Sequence, residues 1–249
     1  MKGLIFAAGL GTRLRPFTLS APKALVELLG VPMLERVILK LKSYGITDIT
    51  VNVHHFAGQI TDFLEGHDNF GVTIHVSDET DLLRDTGGGV LHAERFLAGR
   101  EPVVIHNADI YTDFDLNELI QRHLTSGADA TMLGAIRDTQ RYLFFNQEDR
   151  LCGWGNIATG ETRPEGFDMT QPGLKRLAYG GVQIFNPEDI YPLLKQYGAE
   201  TEKFGIFPFY IANCNRLNIH AFTPAEQYHW FDIGKPESIE RAEAELSNI

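Results

Sequence analysis

A continuous apolar run, Leu4-Ile5-Phe6-Ala7, stands near the start of the chain. A strand with one wet face would alternate, so an unbroken run of this kind predicts a strand buried on both faces. After a glycine-rich stretch the period changes. Met33, Leu34, Val37, Ile38 and Leu41 recur at helical spacing behind Pro32, and Gly45 stops them, which predicts a first helix. Similar β-rich runs predict strands at residues 49–53, 72–76, 103–106, 130–135, 181–185 and 217–222. Helical patterns cover residues 60–64, 90–96, 116–124, 187–194, 207–212 and 236–246. Residues 137–176 are less regular. They hold Gly153, Gly155, Gly160, Pro164, Gly166, Pro172 and Gly173, the residues of turns, and are expected to form a hairpin plus a lid-like excursion. Alternating strands and helices imply an α/β fold: a Rossmann-like three-layer domain over residues 1–249 with a central mixed, mainly parallel sheet.

Composition narrows the classes. At 249 residues, with 43% hydrophobic and 22% charged, the chain has ordinary globular composition and enough length for a core without disulfides or a structural metal. Cys152 and Cys214 stand singly with no C-x-x-C pair, which suits a reducing compartment. No apolar segment approaches the about 20 residues of a spanning helix, and no signal-peptide pattern is present, so a cytoplasmic protein without a membrane partner is expected. Thirty-three acidic against 22 basic residues give a net charge of −11, which disfavours nucleic acid as a partner. Any anion must therefore meet a local basic cluster.

Such a cluster exists. Residues 7–23 read AAGLGTRLRPFTLSAPK, directly behind the first strand. Gly9 and Gly11 would present backbone N–H groups to phosphate oxygens, with Ala7, Ala8 and Thr12 expected to bind the nucleotide beside them, while Arg13, Arg15 and Lys23 supply charge. The third position of a dinucleotide G-x-G-x-x-G is occupied by Leu14, and no Gly-Lys-Ser or Gly-Lys-Thr of a P-loop occurs. In VVIHNADIYTDFD, Asp115 is placed to cap the next helix, whereas Asp109 lies at a strand's carboxyl end, where it could hold Mg²⁺ against triphosphate oxygens. In HWFDIGKPESI, Pro236 fits the first turn of the last helix, leaving Asp232 outside it. The segment Asp85-Thr86-Gly87-Gly88-Gly89 is expected to precede a helix and to let a flat base lie against backbone, with Asp85 reading its edge. The nine histidines show no zinc spacing, and Phe204, Phe207, Phe209 and Tyr210 are expected in the core.

Gly9, Gly11, Thr12, Arg13, Leu14, Pro16, Pro22 and Lys23 resemble the first-loop signature of the sugar-1-phosphate nucleotidylyltransferases. Trp230, Asp232, Ile233 and Gly234 are similar to that family's W-x-D-[IV]-G segment. The resemblance implies transfer of a nucleoside monophosphate from an NTP to a sugar 1-phosphate with release of pyrophosphate. It implies that Arg13 holds the leaving pyrophosphate, that Lys23 faces the reacting phosphates, and that Asp109 and Asp232 bind Mg²⁺. Asn107 and Gly181 are expected on the sugar side, with Lys175 or Lys203 as a second lysine near the sugar phosphate. The Thr-Gly-Gly-Gly segment looks like that of the short bacterial N-acetylmuramate 1-phosphate uridylyltransferases, so UTP and N-acetylmuramate 1-phosphate are the expected substrates. Mannose-1-phosphate guanylyl transfer is the alternative, and a non-catalytic nucleotide-sugar sensor the rival from another class. Residues 142–172 depart from the short enzymes by their length. Oligomeric state is left open.

Overall fold

The run Leu4-Ile5 becomes the middle of a strand whose neighbours on both sides are strands and whose two faces are both covered by helices. In the computed structural model, which describes residues 1–247, Leu4 and Ile5 are completely buried. The last two positions of the expected 1–249 domain lie outside the described residues. The chain runs β1 (Lys2–Phe6), β2 (Glu27–Leu28), β3 (Val31–Pro32), α1 (Met33–Ser43), β4 (Asp48–Val53), α2 (Ala57–Gly66), β5 (Thr73–Asp78), α3 (Asp85–His92), α4 (Glu94–Leu97) and β6 (Val103–Asn107). It continues through β7 (Ile110–Thr112), α5 (Leu116–Ser126), β8 (Ala130–Ala135), β9 (Arg141–Phe145), β10 (Leu151–Asn156), β11 (Thr162–Arg163) and β12 (Lys175–Phe185). The remainder is α6 (Pro187–Tyr197), α7 (Ile206–Asn213), β13 (Ile219–Phe222), β14 (Trp230–Asp232) and α8 (Pro236–Leu246).

The main sheet has the order β11-β10-β9-β12-β6-β1-β4-β5, and β8 joins it by pairing with β12 and β13. Strands β6, β1, β4 and β5 are parallel, while β12 runs antiparallel to β6, β8 and β9. The sheet is therefore mixed, with a parallel centre. Successive residues of a strand point to opposite faces. Leu4 accordingly belongs to the core cluster that holds Val90 of α3, Leu194 of α6 and Phe209 of α7, and Ile5 to the one that holds Val37 and Leu41 of α1, Ile60 of α2 and Leu119 of α5. Three layers result, as the alternation of elements implied. No helix among the described residues is long and apolar enough to cross a membrane.

Three expectations change. The DTGGG segment does not precede a helix but forms the start of one, since α3 begins at Asp85. The strand expected at 181–185 is the second half of an eleven-residue strand beginning at Lys175. Much of the excursion is regular: β9, β10 and β11 extend the sheet as antiparallel strands. The rest lies down on it, with the Phe167 ring at Gly153 and the Met169 side chain at Gly155, where a Cβ would meet them at 2.8 and 2.1 Å. As expected, the Asp115 side chain caps α5 by accepting from the Asn117 N–H.

Strand β6 buries a histidine. The His106 Nδ1–H donates to the Asn107 carbonyl at 2.8 Å, its Nε2 has no partner, and burial pulls its pKa down to about 4. A neutral imidazole inside and a protonatable one in the unfolded chain make stability pH-dependent. The contribution is present above the ordinary histidine pKa of about 6.5 and is lost as pH falls towards 4, by up to about 3 kcal/mol. Urea titrations at pH 7 and 4.5 should show a smaller acid loss for His106→Gln than for wild type. Equal losses would remove His106 as the cause.

Candidate functional site

The loop behind β1 folds back on itself at Gly11, whose φ of +61° lies in the left-handed region. A Cβ there would stand 2.8 Å from Thr18 Cγ2 and 2.9 Å from Lys23 Cβ, so glycine permits both the turn and the close return of the chain. The Thr18 hydroxyl donates to the Gly11 carbonyl at 2.7 Å and closes the loop. Short 3₁₀ turns at Thr12–Leu14 and Lys23–Leu25 then carry Arg13 and Lys23. At the loop's root, the Ala7 and Ala8 N–H groups donate to Asn52 Oδ1 of β4 at 2.7 and 3.3 Å.

Asp109 occupies the turn between β6 and β7, where Lys23 Nζ forms a close ion pair with its Oδ2. The second carboxylate arrives on β14, which pairs antiparallel with β7 so that Asp232 lies opposite Ile110. Next to it, the Ile233 N–H donates to the Asp109 carbonyl at 2.8 Å. Two acids distant in sequence are thus joined through backbone. Arg13 Nη2 stands 3.8 Å from Asp232 Oδ2, and Asp232 Oδ1 is buried without a partner. Asp232 does not cap α8, whose N-cap is Lys235. Among the described residues no three His, Cys, Asp or Glu side chains cluster as a metal cage. Two carboxylates, one with an unpartnered oxygen, nevertheless suit Mg²⁺, which takes one or two protein carboxylates and completes its shell with water and phosphate oxygens.

Two cavities meet at these groups. One, of about 340 Å³, is lined by Ala7, Ala8, Gly9, Lys23, Asp85 and Lys203. The other, of about 430 Å³, is lined by Tyr179, Gly181, Trp230 and Asp232. Asn107 and Asp109 line both. Gly11 and Thr12 shape the loop without lining either cavity. Gly87 corrects the sequence reading: it is buried, its N–H donates to the Phe204 carbonyl at 2.9 Å, and a Cβ would strike the Phe204 ring at 2.6 Å. Its glycine serves helix packing, leaving no backbone face for a base. Phe204, Phe209 and Tyr210 belong to the core, while Phe207 lines the larger cavity.

The larger cavity also contains three groups that sequence reasoning missed: Arg137, Arg141 and Arg163. Arg137 lies over the Trp230 ring at 4.5 Å, and burial lowers its pKa from the usual arginine value. Arg163 lies over Trp154 at 5.2 Å and pairs with Glu161 at 3.0 Å. The available signal was five arginines within residues 137–176 of an acidic chain, three of which reach the cavity. Of the two lysine candidates, Lys175 is tied to Asp149 at 2.6 Å and Lys203 lines the smaller cavity, so neither lines the larger one.

A family model described as nucleotidyl transferase matches residues 2–248. The chain belongs to the nucleotidyl transferase family. Among its relatives, a probable mannose-1-phosphate guanylyltransferase 2 of Oryza sativa subsp. japonica is 36% identical over 240 residues, 95% of this chain and 62% of the relative. A mannose-1-phosphate guanyltransferase of Hypocrea jecorina is 31% identical with the same coverage. This nucleotidyl transferase chain thus spans about three fifths of the length of these relatives. Their names are guanylyltransferase names, where the sequence reading leaned towards uridylyl transfer. The fold matches a putative glucose-1-phosphate thymidylyltransferase of Bacillus anthracis solved with sucrose, with TM-score 0.79 and 21% identity over 100% of this chain and 96% of that one. It also matches HddC of Yersinia pseudotuberculosis complexed with GMP-PN, with TM-score 0.73 and 20% identity over 98% and 99% of the two chains.

Proposed function

We propose that this nucleotidyl transferase moves a nucleoside monophosphate from an NTP onto a sugar 1-phosphate. The observation that carries the reading is Asp109, paired with Lys23, on the wall shared by the two cavities. With the NTP in the smaller cavity and the sugar phosphate in the larger, a phosphate oxygen of the sugar attacks the α-phosphorus in line. The bond to the β-phosphate oxygen breaks and pyrophosphate departs along the Gly9–Arg13 loop. Lys23 and Arg13 balance the charge that moves towards the leaving group. No general base is required, because a phosphate monoester with a second pKa of about 6 is already an anionic nucleophile. Asp109 and Asp232 would hold Mg²⁺, which when bound neutralises phosphate charge and orients the triphosphate.

For the substrates, the reading we favour is UTP with N-acetylmuramate 1-phosphate. Asp85 Oδ1 already accepts from the Thr86 N–H at 2.6 Å, so Oδ2 is the oxygen more open to a base edge. That oxygen suits the single N3–H of uracil, whereas the N1–H and N2–H of guanine would draw on both carboxylate oxygens, one of them already engaged. Three arginines on the sugar side suit an acceptor with a carboxylate besides its phosphate, and N-acetylmuramate carries one on its lactyl group. The guanylyl reading, with mannose 1-phosphate, is favoured by the names of the relatives. Pyrophosphate release with UTP, dTTP, GTP, CTP and ATP, each against N-acetylmuramate, N-acetylglucosamine and mannose 1-phosphates, tests both. UTP with N-acetylmuramate 1-phosphate is expected to be fastest, and Arg163→Gln to raise KM for that sugar by about tenfold with N-acetylglucosamine 1-phosphate unaffected. Preference for GTP and mannose 1-phosphate replaces the favoured substrates. Silence with every pair would defeat nucleotidylyl transfer itself and leave the sensor.

A further inference from the structure

In the wall of the nucleotide cavity, which Asn52 and Glu79 help to line, lies a polar chain to which the proposed reaction assigns no role. Asn52 on β4, Glu79 just after β5 and Arg84 just before α3 are 3%, 0% and 6% exposed. Asn52 Nδ2 donates to Glu79 Oε1 at 2.8 Å, and Glu79 Oε2 accepts from the Arg84 backbone N–H at 3.0 Å. The far side of Asn52 is engaged as well, its Oδ1 accepting from Ala7 and Ala8. Each group has one workable role: Oδ1 faces two donors, so Nδ2 must face the carboxylate. One continuous run of hydrogen bonds thus links the root of the phosphate loop to the residue preceding Asp85.

Packing alone does not call for such a chain. A carboxylate wholly inside a protein is costly unless its oxygens are satisfied, and apolar side chains of like volume would fill the space at less cost. The surroundings are fitted to it. A Cβ at Gly89 would come 2.9 Å from Glu79 Oε1 and 3.2 Å from Asn52 Nδ2, so α3 passes over the pair with bare backbone. Asp85 sits in the left-handed region at φ +61°, a conformation costly for a non-glycine residue, directly after the N–H that Glu79 holds. We infer that Asn52 and Glu79 are positioning residues that hold the phosphate loop and the base-facing start of α3 in register, so that one nucleotide is gripped at both ends. This rests on the smaller cavity being the nucleotide site.

The variants Asn52→Asp, Glu79→Gln and the pair combined test it, each checked for melting temperature. The first single variant sets two carboxylates face to face. The second leaves two donors opposed, whichever way its amide turns. In the combined variant every group is matched again: the glutamine at 79 donates to the aspartate at 52 and accepts from Arg84, while the aspartate still accepts from Ala7 and Ala8. The expected readings are Kd and KM for UTP, or for GTP if the substrate panel selects it, raised about tenfold or more in each single variant, with KM for the sugar 1-phosphate little changed. In the combined variant both should return to within about threefold of wild type. Folded single variants with wild-type Kd would overturn the assignment, as would equal rises in both KM values or a combined variant whose nucleotide binding stays weak. Should a single variant not fold, the combined one decides: a folded protein with weak nucleotide binding defeats the positioning role. A wild type that binds no nucleotide defeats the reading of the cavity instead, and the two failures are told apart by that measurement.

Discussion

Asp109→Asn is expected to lower kcat about 10³-fold, with the melting temperature changed by only a few degrees. Asparagine keeps the size of the side chain, and its carbonyl can still accept from the Lys23 ammonium, so the ion pair becomes a hydrogen bond to a neutral amide while the turn between β6 and β7 survives. The backbone contact from Ile233 to the Asp109 carbonyl does not depend on the side chain at all. What disappears is the negative charge on the wall common to both cavities, and with it one of the two carboxylates suited to a divalent cation. Turnover measured in Mg²⁺ and again in EDTA, on protein shown to be folded, provides the check. A variant working at near wild-type rate under either condition would end the assignment of Asp109 to the reacting centre.

The second large effect belongs to Lys23. Lys23→Ala is expected to slow transfer by about 10²-fold, the scale of one preorganised electrostatic donor. The ammonium is largely enclosed, with 13% of the side chain exposed, so its charge acts where water screens it little. Its stem also packs at the Gly11 turn, and Lys23→Met, which keeps the stem and drops the charge, separates the two contributions. Both variants should be slow. If alanine lowers the melting temperature steeply while specific activity is retained, Lys23 is a structural prop of the loop and leaves the mechanism.

The parts of this site that could be read from sequence were residues out of place for a core. Asp109 follows directly on the buried run of β6, and the glycine loop puts cations behind β1 in an acidic chain. The arginines could not be read in that way. Arg141 on β9 and Arg163 on β11 come together across β10, and whether they face one cavity depends on register set by pairings such as Trp154 with Arg163. Sequence spacing does not carry that information. Gly87 to Gly89 misled for another reason: each glycine opposes a helix by about 1 kcal/mol, so propensity argued for a loop. Tertiary contact won, because Phe204, Glu202 and Glu79 approach the three positions too closely for any side chain. The β7 and β14 ladder was missed because three-residue strands are too short to show a period.

That short ladder also orders events in time. A chain made from its N-terminus has the phosphate loop and Asp109 long before Trp230 to Asp232 exist to pair with Thr112 to Ile110. An unfinished chain therefore holds the cationic groups of the loop but only one of the two carboxylates suited to a divalent cation. On the reading proposed above, transfer from a triphosphate, whether to a sugar phosphate or to water, would wait until the β14 segment has docked.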